Sequence, residues 1–287
     1  VSISYDCRKE FAYEAFARTA SYDHVIQQWM RQSNSGIHAE LTSGYREGAP
    51  LRYGENPDQK ASVFIDKGHS GPSVINANTI AGKPLSYNNI MDAAAALEIV
   101  QDLATSTNLN AATIIKHANP CGTAVHQDLA KAFGSAWKCD TLAAFGGIVA
   151  LSGNVDEELA SQIAEGEKFL EVIVAPSIDN TASTILSGRW KNVRLLEVGN
   201  LQRSDSWLHY RSFEGGMLVQ ELHPVCAIPE DWKHMAGPEP TSQQRTDAIV
   251  AWIACAHLKS NSISIVNQGA LIGGGMGQVD RVSAATL

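Results

Sequence analysis

The sequence predicts an α/β protein, and three observations predict it. Short β-branched apolar runs alternate with helical patterns from residue 113 onward, capping signals stand ahead of the helical periods, and the composition suits a large buried core. The runs TIIK (113–116), GIVAL (147–151), EVIVA (171–175) and VRLLEV (193–198) have the character of strands covered on both faces. Between them, Asn89 or a neighbour can cap a helix through Leu103, and Asn154 with Glu157 three residues on has capping-box spacing before Leu159 and Ile163. Thr241 with Gln244 repeats that device ahead of Ile249, Trp252, Ile253 and Leu258. Strand, helix, strand in this order implies right-handed crossovers and a largely parallel sheet.

The flanking regions read differently. Residues 8–31 carry Ala12, Ala15, Phe16, Thr19, Tyr22, Ile26 and Trp29 at three- and four-residue steps, a helical stripe expected to pack into a core. Residues 33–50 hold turn formers and no period, which marks a linker with a domain boundary near residue 48. YRSFEGGMLVQELHP suggests an antiparallel excursion between residues 207 and 240, followed by Pro-rich connection.

Composition narrows the function. The chain has 287 residues, 44% hydrophobic and 18% charged, with a formal charge of −8. An acidic surface argues against general affinity for nucleic acid or anionic membranes. No apolar run reaches the roughly 18 residues needed to cross a bilayer, and VSISYDCRKEF lacks the pattern of a secretory leader, so the expected location is the cytoplasm. Five cysteines without paired spacing suit reduced thiols. A start at Val1 without Met, and a stop at Leu287 just after a Gly-rich segment, read as cut ends.

Three stretches can carry chemistry. In IIKHANPCGTAV (114–125) an apolar strand ends in Lys116 and His117, and Asn-Pro-Cys-Gly is read as the turn that releases the chain. Partly desolvated neighbours of like charge are pushed toward their neutral forms, which suits proton transfer near neutral pH. The plainer reading has His117 satisfying backbone groups and Lys116 reaching solvent. In LRYGENPDQKA (51–61), Arg52 can fork onto a phosphate and Tyr53 can stack or donate, or the segment is a turn with a surface Arg. Gly146 and Gly147 after Phe145 let the backbone approach a flat ligand or pack tightly against a strand. GGGMGQVDR (273–281) is Gly-rich ahead of a helix start, an anion-cradle pattern that matches neither the Walker loop nor the dinucleotide fingerprint. Pro120-Cys121 is similar to the zinc-deaminase motif, but position 124 is Ala and position 119 is Asn, so catalytic zinc is rejected.

Taken in order, RYGENPDQ, GKPLSYNNIMDAAAAL, IKHANPCG, DTLAAFGGIVAL, EVIVAPS, KSNSISIV and GGGMGQVDR resemble the family of bifunctional purine-biosynthesis enzymes. These join a formyltransferase for aminoimidazole carboxamide ribotide (AICAR) to an inosinate cyclohydrolase. The resemblance implies that residues 1–48 are the end of the cyclohydrolase domain plus linker. Residues 49–287 would be the N-terminal part of a transformylase domain built of zinc-free, cytidine-deaminase-like three-layer α/β units, with a largely parallel or mixed sheet.

By the same resemblance, His117 helps remove a proton as the AICAR amine attacks the formyl carbon of 10-formyltetrahydrofolate, and Lys116 stabilises charge or assists departure of the folate nitrogen. Asn261 holds the carboxamide or formyl oxygen. Arg52 and Tyr53 bind the ribotide phosphate; Asn89, Gly146 and Glu171 line the base; Gln278 and Arg281 complete the pocket. AICAR and folate are the implied partners, in a homodimer, with no metal, nucleic acid or membrane. The family's downstream folate-side motif is absent from this sequence, so a fragment that binds ribotide without catalysis is the alternative. Asp58 stands where the family usually has His, which is expected to weaken phosphate binding.

Overall fold

Alternation of apolar residues along each run decides the architecture, because successive side chains of a strand point to opposite faces. The computed structural model describes residues 3–31, 45–66, 69, 71–203, 208–221, 225, 227 and 229–287. In chain order the elements are α1 (Tyr5–Arg31), β1 (Tyr45–Leu51), β2 (Ala61–Asp66), β3 (Asn78–Ala81), α2 (Tyr87–Thr107), β4 (Asn110–Lys116) and β5 (Asn119–His126). Next come α3 (Leu129–Cys139), α4 (Thr141–Ala144), β6 (Gly147–Leu151), α5 (Glu157–Ala164), β7 (Leu170–Ala175), α6 (Asn180–Arg189) and β8 (Arg194–Glu197). The remainder is β9 (Leu208–Phe213), β10 (Gly216–Glu221), α7 (Ser242–His257), β11 (Ile263–Asn267), β12 (Ala270–Gly275) and α8 (Arg281–Thr286).

The larger of two compact units comprises Leu51–Ala61, Gly71–Arg203 and Pro224–Leu287. Its sheet has eight strands in the order β11-β12-β5-β4-β6-β7-β8-β3. Ile114, Val149, Ile173 and Leu195 project into one core, formed with Phe133 of α3, Ile163 of α5 and Leu186 of α6. Ile115, Ile148, Val172, Val174 and Leu196 project into the other, formed with Val100 and Leu103 of α2 and Val250 and Ile253 of α7. Helices on both faces explain why these strands carry no polar alternation.

Of the two expected arrangements, largely parallel or mixed, the sheet takes the mixed one. Only β6, β7 and β8 run parallel, whereas β4 is antiparallel to both β5 and β6. A tight hairpin joins β4 to β5, and a hairpin can only connect antiparallel strands. The segment read as a turn, Asn-Pro-Cys-Gly, is therefore the start of β5, and the chain reverses at His117 and Ala118 instead.

Helix signals were displaced by a few residues. Ser86 caps α2, with Asn89 as the reciprocating third residue of a capping box. Asp156 rather than Asn154 caps α5, because Asn154 is engaged by Ser177 and Asp179. Thr241 and Gln244 form the expected capping box on α7, although Trp252 is exposed.

The smaller unit comprises Val1–Pro50, Ser62–Ser70 and Ser204–His223. It contains α1 and the antiparallel pair β9–β10 expected as an excursion, with Tyr45 meeting Tyr210 edge-on at a centroid distance of 5.9 Å. The α1 stripe is not core: Phe16, Tyr22 and Trp29 are each at least two-thirds exposed. No other element covers that face among the described residues. Most of the expected linker, residues 33–44, lies outside them.

Phe133 is the largest fully buried side chain among the described residues. Phe133→Ala is expected to cost about 3–5 kcal/mol through lost transfer energy plus a residual cavity, read as a lower urea midpoint with an unchanged slope.

Candidate active site

Lys116 pairs with Asn119 across the β4–β5 ladder, which leaves a two-residue turn of His117 and Ala118. Both have left-handed backbone, with φ of 52° and 58°. A hairpin of this kind usually uses Asn-Gly, and a non-glycine residue in such a region costs on the order of 1–3 kcal/mol. The turn is held from outside. The buried Asp92 of α2 accepts from His117 N at 3.2 Å through Oδ2 and from Ala118 N at 2.7 Å through Oδ1. Asn119 Nδ2 donates to the His117 carbonyl at 2.8 Å.

Lys116 Nζ donates to the Gly146 carbonyl at 2.9 Å. Gly146 has φ of 70°, a conformation that calls for glycine, and a Cβ there would stand 3.3 Å from the mobile tip of Lys116. Gly147 begins β6 and packs tightly, since a Cβ would meet the carbonyls of Ala144 and Ile115 at 3.0 Å. The two glycines thus do different work.

One helical turn before Asp92, Asn89 donates through Nδ2 to Glu171 Oε2 at 2.9 Å, while its Oδ1 accepts from Ser86 N. Arg194 of β8 lies 3.8 Å from the same Glu171 oxygen, a loose ion pair. Residues three apart on a helix share a face, and that face of α2 meets both the His117 turn and Glu171. Lys116, His117, Gly146, Asn89 and Glu171 are therefore gathered at one end of the sheet. Buried Asn88 Oδ1, Asn119 Oδ1 and Arg194 Nε have no hydrogen-bond partner there among the described residues. Buried polar atoms of this kind are normally satisfied, so these are available to a ligand or to water.

The Arg52 loop joins the same end through α2. Asn88 Nδ2 donates to the Glu55 carbonyl at 3.3 Å, and Gly54 N donates to the Gln59 carbonyl at 2.8 Å, closing the GENPDQ turn. The Arg52 guanidinium lies 5.4 Å from the Tyr53 ring centroid. Asn261 and Gln278 form a separate pair. Asn261 N and Nδ2 both donate to the Gln278 carbonyl at 3.0 Å, Asn261 just before β11 and Gln278 just after β12, two strands that pair with each other. They bond to each other and not to Lys116 or His117. Arg281 is exposed at the start of α8, whose cap is Asp280.

Asp92 and Arg194 escaped the sequence reading. Asp92 stands alone as a carboxylate in IMDAAAAL, three residues after Asn89, and that isolation in a small-residue run was the available signal. Arg194 opens an apolar strand and carried none.

Among the described residues, no group of three or more His, Cys, Asp and Glu side chains could hold a metal ion, and Cys7, Cys121, Cys139 and Cys255 are free. Burial, with a further contribution from the Asp140 carboxylate, pushes the Cys121 thiol up to about 12. The thiolate is the nucleophile. Native protein is accordingly expected to resist alkylation of Cys121 by iodoacetamide at neutral to mildly alkaline pH, with modification appearing on denaturation; mass spectrometry of the labelled peptide checks this.

The family model described as "AICARFT/IMPCHase bienzyme" matches residues 1–287. The chain is 39% identical over 284 residues to the "Bifunctional purine biosynthesis protein PurH" of Rhodospirillum rubrum, covering 98% of this chain and 52% of that protein. Identity to the protein of the same name from Ruegeria sp. is 40% over 287 residues, covering 99% and 53%. For Parvibaculum lavamentivorans it is 41% over 286 residues, covering 98% and 52%. The chain thus spans about half the length of the curated relatives it matches. With the model matched along its whole length, the chain belongs to the AICARFT/IMPCHase bienzyme family.

Proposed function

We propose that the larger unit carries the ribotide side of an AICAR formyltransferase site. The observation that supports this reading most is the presentation of Lys116 and His117 at the end of a fully buried strand, with Lys116 held on Gly146 and the His117 backbone held on Asp92. The amine nitrogen of AICAR attacks the formyl carbon of 10-formyltetrahydrofolate, a new N–C bond forms, and the bond from formyl carbon to the folate nitrogen breaks. His117 takes the proton lost by the amine and passes it on to the folate nitrogen as that bond breaks, while Lys116 stabilises the developing oxyanion or assists the departure of the folate nitrogen. Arg52, beside Tyr53, binds the ribotide phosphate. Asn89, Gly146 and Glu171 line the base, with the Glu171 carboxylate accepting from its amino or amide group, and Gln278 and Arg281 complete the pocket. Asn261 orients the carboxamide or formyl oxygen. Asp58 weakens phosphate binding by placing a carboxylate in the Arg52 loop.

In the same reading, the protein containing this chain is a cytoplasmic homodimer that also carries inosinate cyclohydrolase activity, with residues 1–48 the end of that domain. It has no nucleic-acid or membrane partner. No helix among the described residues is long and apolar enough to cross a membrane. A second reading, that this chain binds the ribotide without turning it over, is favoured by one observation: the chain spans about half of its relatives.

Calorimetry with AICAR, followed by a formyl-transfer assay, separates the two on wild type and on the Lys116→Ala/His117→Ala double variant. Binding with turnover is expected for the wild type, and the double variant is expected to lose on the order of 100-fold or more of the rate, as the removal of general acid–base groups does. Binding without turnover selects the second reading. Absence of binding sinks both.

A further inference from the structure

His117 is exposed, and no described residue hydrogen-bonds its imidazole. The backbone it stands on therefore sets the direction of its Cα–Cβ bond, and with it the space the ring can reach. That backbone is the left-handed turn His117–Ala118, formed without glycine or asparagine. We infer that Asp92 is the positioning residue of this site: its buried carboxylate, accepting from both turn amides, holds the turn in the conformation that points His117 at the reacting amine. This rests on the formyl-transfer reading above.

Three features support the assignment. Each oxygen of Asp92 takes a different amide, so the turn is gripped at two points rather than one. The first turn of α2, which leads to Asp92, is itself anchored, by the Ser86–Asn89 capping box and by the bond from Asn89 to Glu171. A carboxylate meets the demand with one oxygen for each of the two donors. An Asn at this position offers one oxygen and turns an NH2 group against the second N–H.

The test compares wild type, Asp92→Ala, Asp92→Asn and the double variant Asp92→Ala/Ala118→Gly. Formyl-transfer kinetics, the unfolding midpoint and amide hydrogen exchange are read on each. Both single variants are expected to lose about 100-fold in kcat, the scale of a misplaced catalytic group, with KM for AICAR nearly unchanged. Exchange at His117 and Ala118 speeds up while the rest of β4 and β5 stays protected. Ala118→Gly restores most of kcat, because glycine adopts the left-handed turn without assistance. A merely structural Asp92 would lower the unfolding midpoint and show no such rescue.

Wild-type turnover in both single variants, or loss that Ala118→Gly fails to restore, overturns the assignment. An inactive wild type overturns the formyl-transfer reading instead. The exchange data then decide the turn-holding role by themselves, and unchanged protection at His117 and Ala118 in Asp92→Ala refutes it.

Discussion

Strand β4 is the constraint on which the rest of the larger unit depends. It is hydrogen-bonded antiparallel on both sides, to β5 and to β6, and Ala111 through Ile115 are fully buried between two helical layers. In an all-parallel sheet the carboxyl end of β4 would share an edge with the carboxyl ends of β6, β7 and β8, where functional groups of open α/β sheets collect. Reversal of β4 moves Lys116 to the opposite edge. It joins Gly146, Glu171 and Arg194, which stand at the amino ends of β6, β7 and β8. The end of β4 and the beginnings of three parallel strands therefore meet at the candidate site.

Helix α2 completes this arrangement from one face of the sheet. Beyond the apolar residues that fill the second core, it buries Asn89, Asp92, Gln101 and Asp102. A polar group costs free energy when removed from water unless it is partnered, and each of these is. Asn89 engages Glu171, and Asp92 engages the turn amides. Asp102 accepts from Arg203 at 3.0 Å and meets His257 of α7 at 2.7 Å, while Gln101 donates to the Leu201 carbonyl. One end of the helix thus organises the candidate site. The other ties α2 to α7 and to the segment that follows β8.

Local charge departs from the average. The chain carries a formal charge of −8, yet Arg52, Lys116 and Arg194 belong to the group of residues linked through α2 and the start of the sheet. The same group holds the carboxylates of Asp92 and Glu171, so both signs of charge meet there.

Much of this was legible from residues. Strand runs rich in Val, Ile and Leu revealed double coverage, the Thr241–Gln244 spacing marked the start of α7, and the sequence KH at the end of an apolar run marked the candidate proton-transfer pair. Local periodicity and capping chemistry are written in neighbouring residues, so they survive reading in one dimension. Strand direction, the true turn at His117–Ala118, the exposure of the α1 stripe and the partnership of Asp92 were not legible. Direction depends on which strands pair, exposure depends on what lies opposite a helix, and Asp92 meets the amides of His117 and Ala118 from 25 and 26 residues away. The sequence by itself determined the buried apolar runs that become β4, β6, β7 and β8, the capped start of α7, and which side chains can carry protons. Tertiary structure alone decided which edge of the sheet they share, because long-range pairing sets the direction of β4.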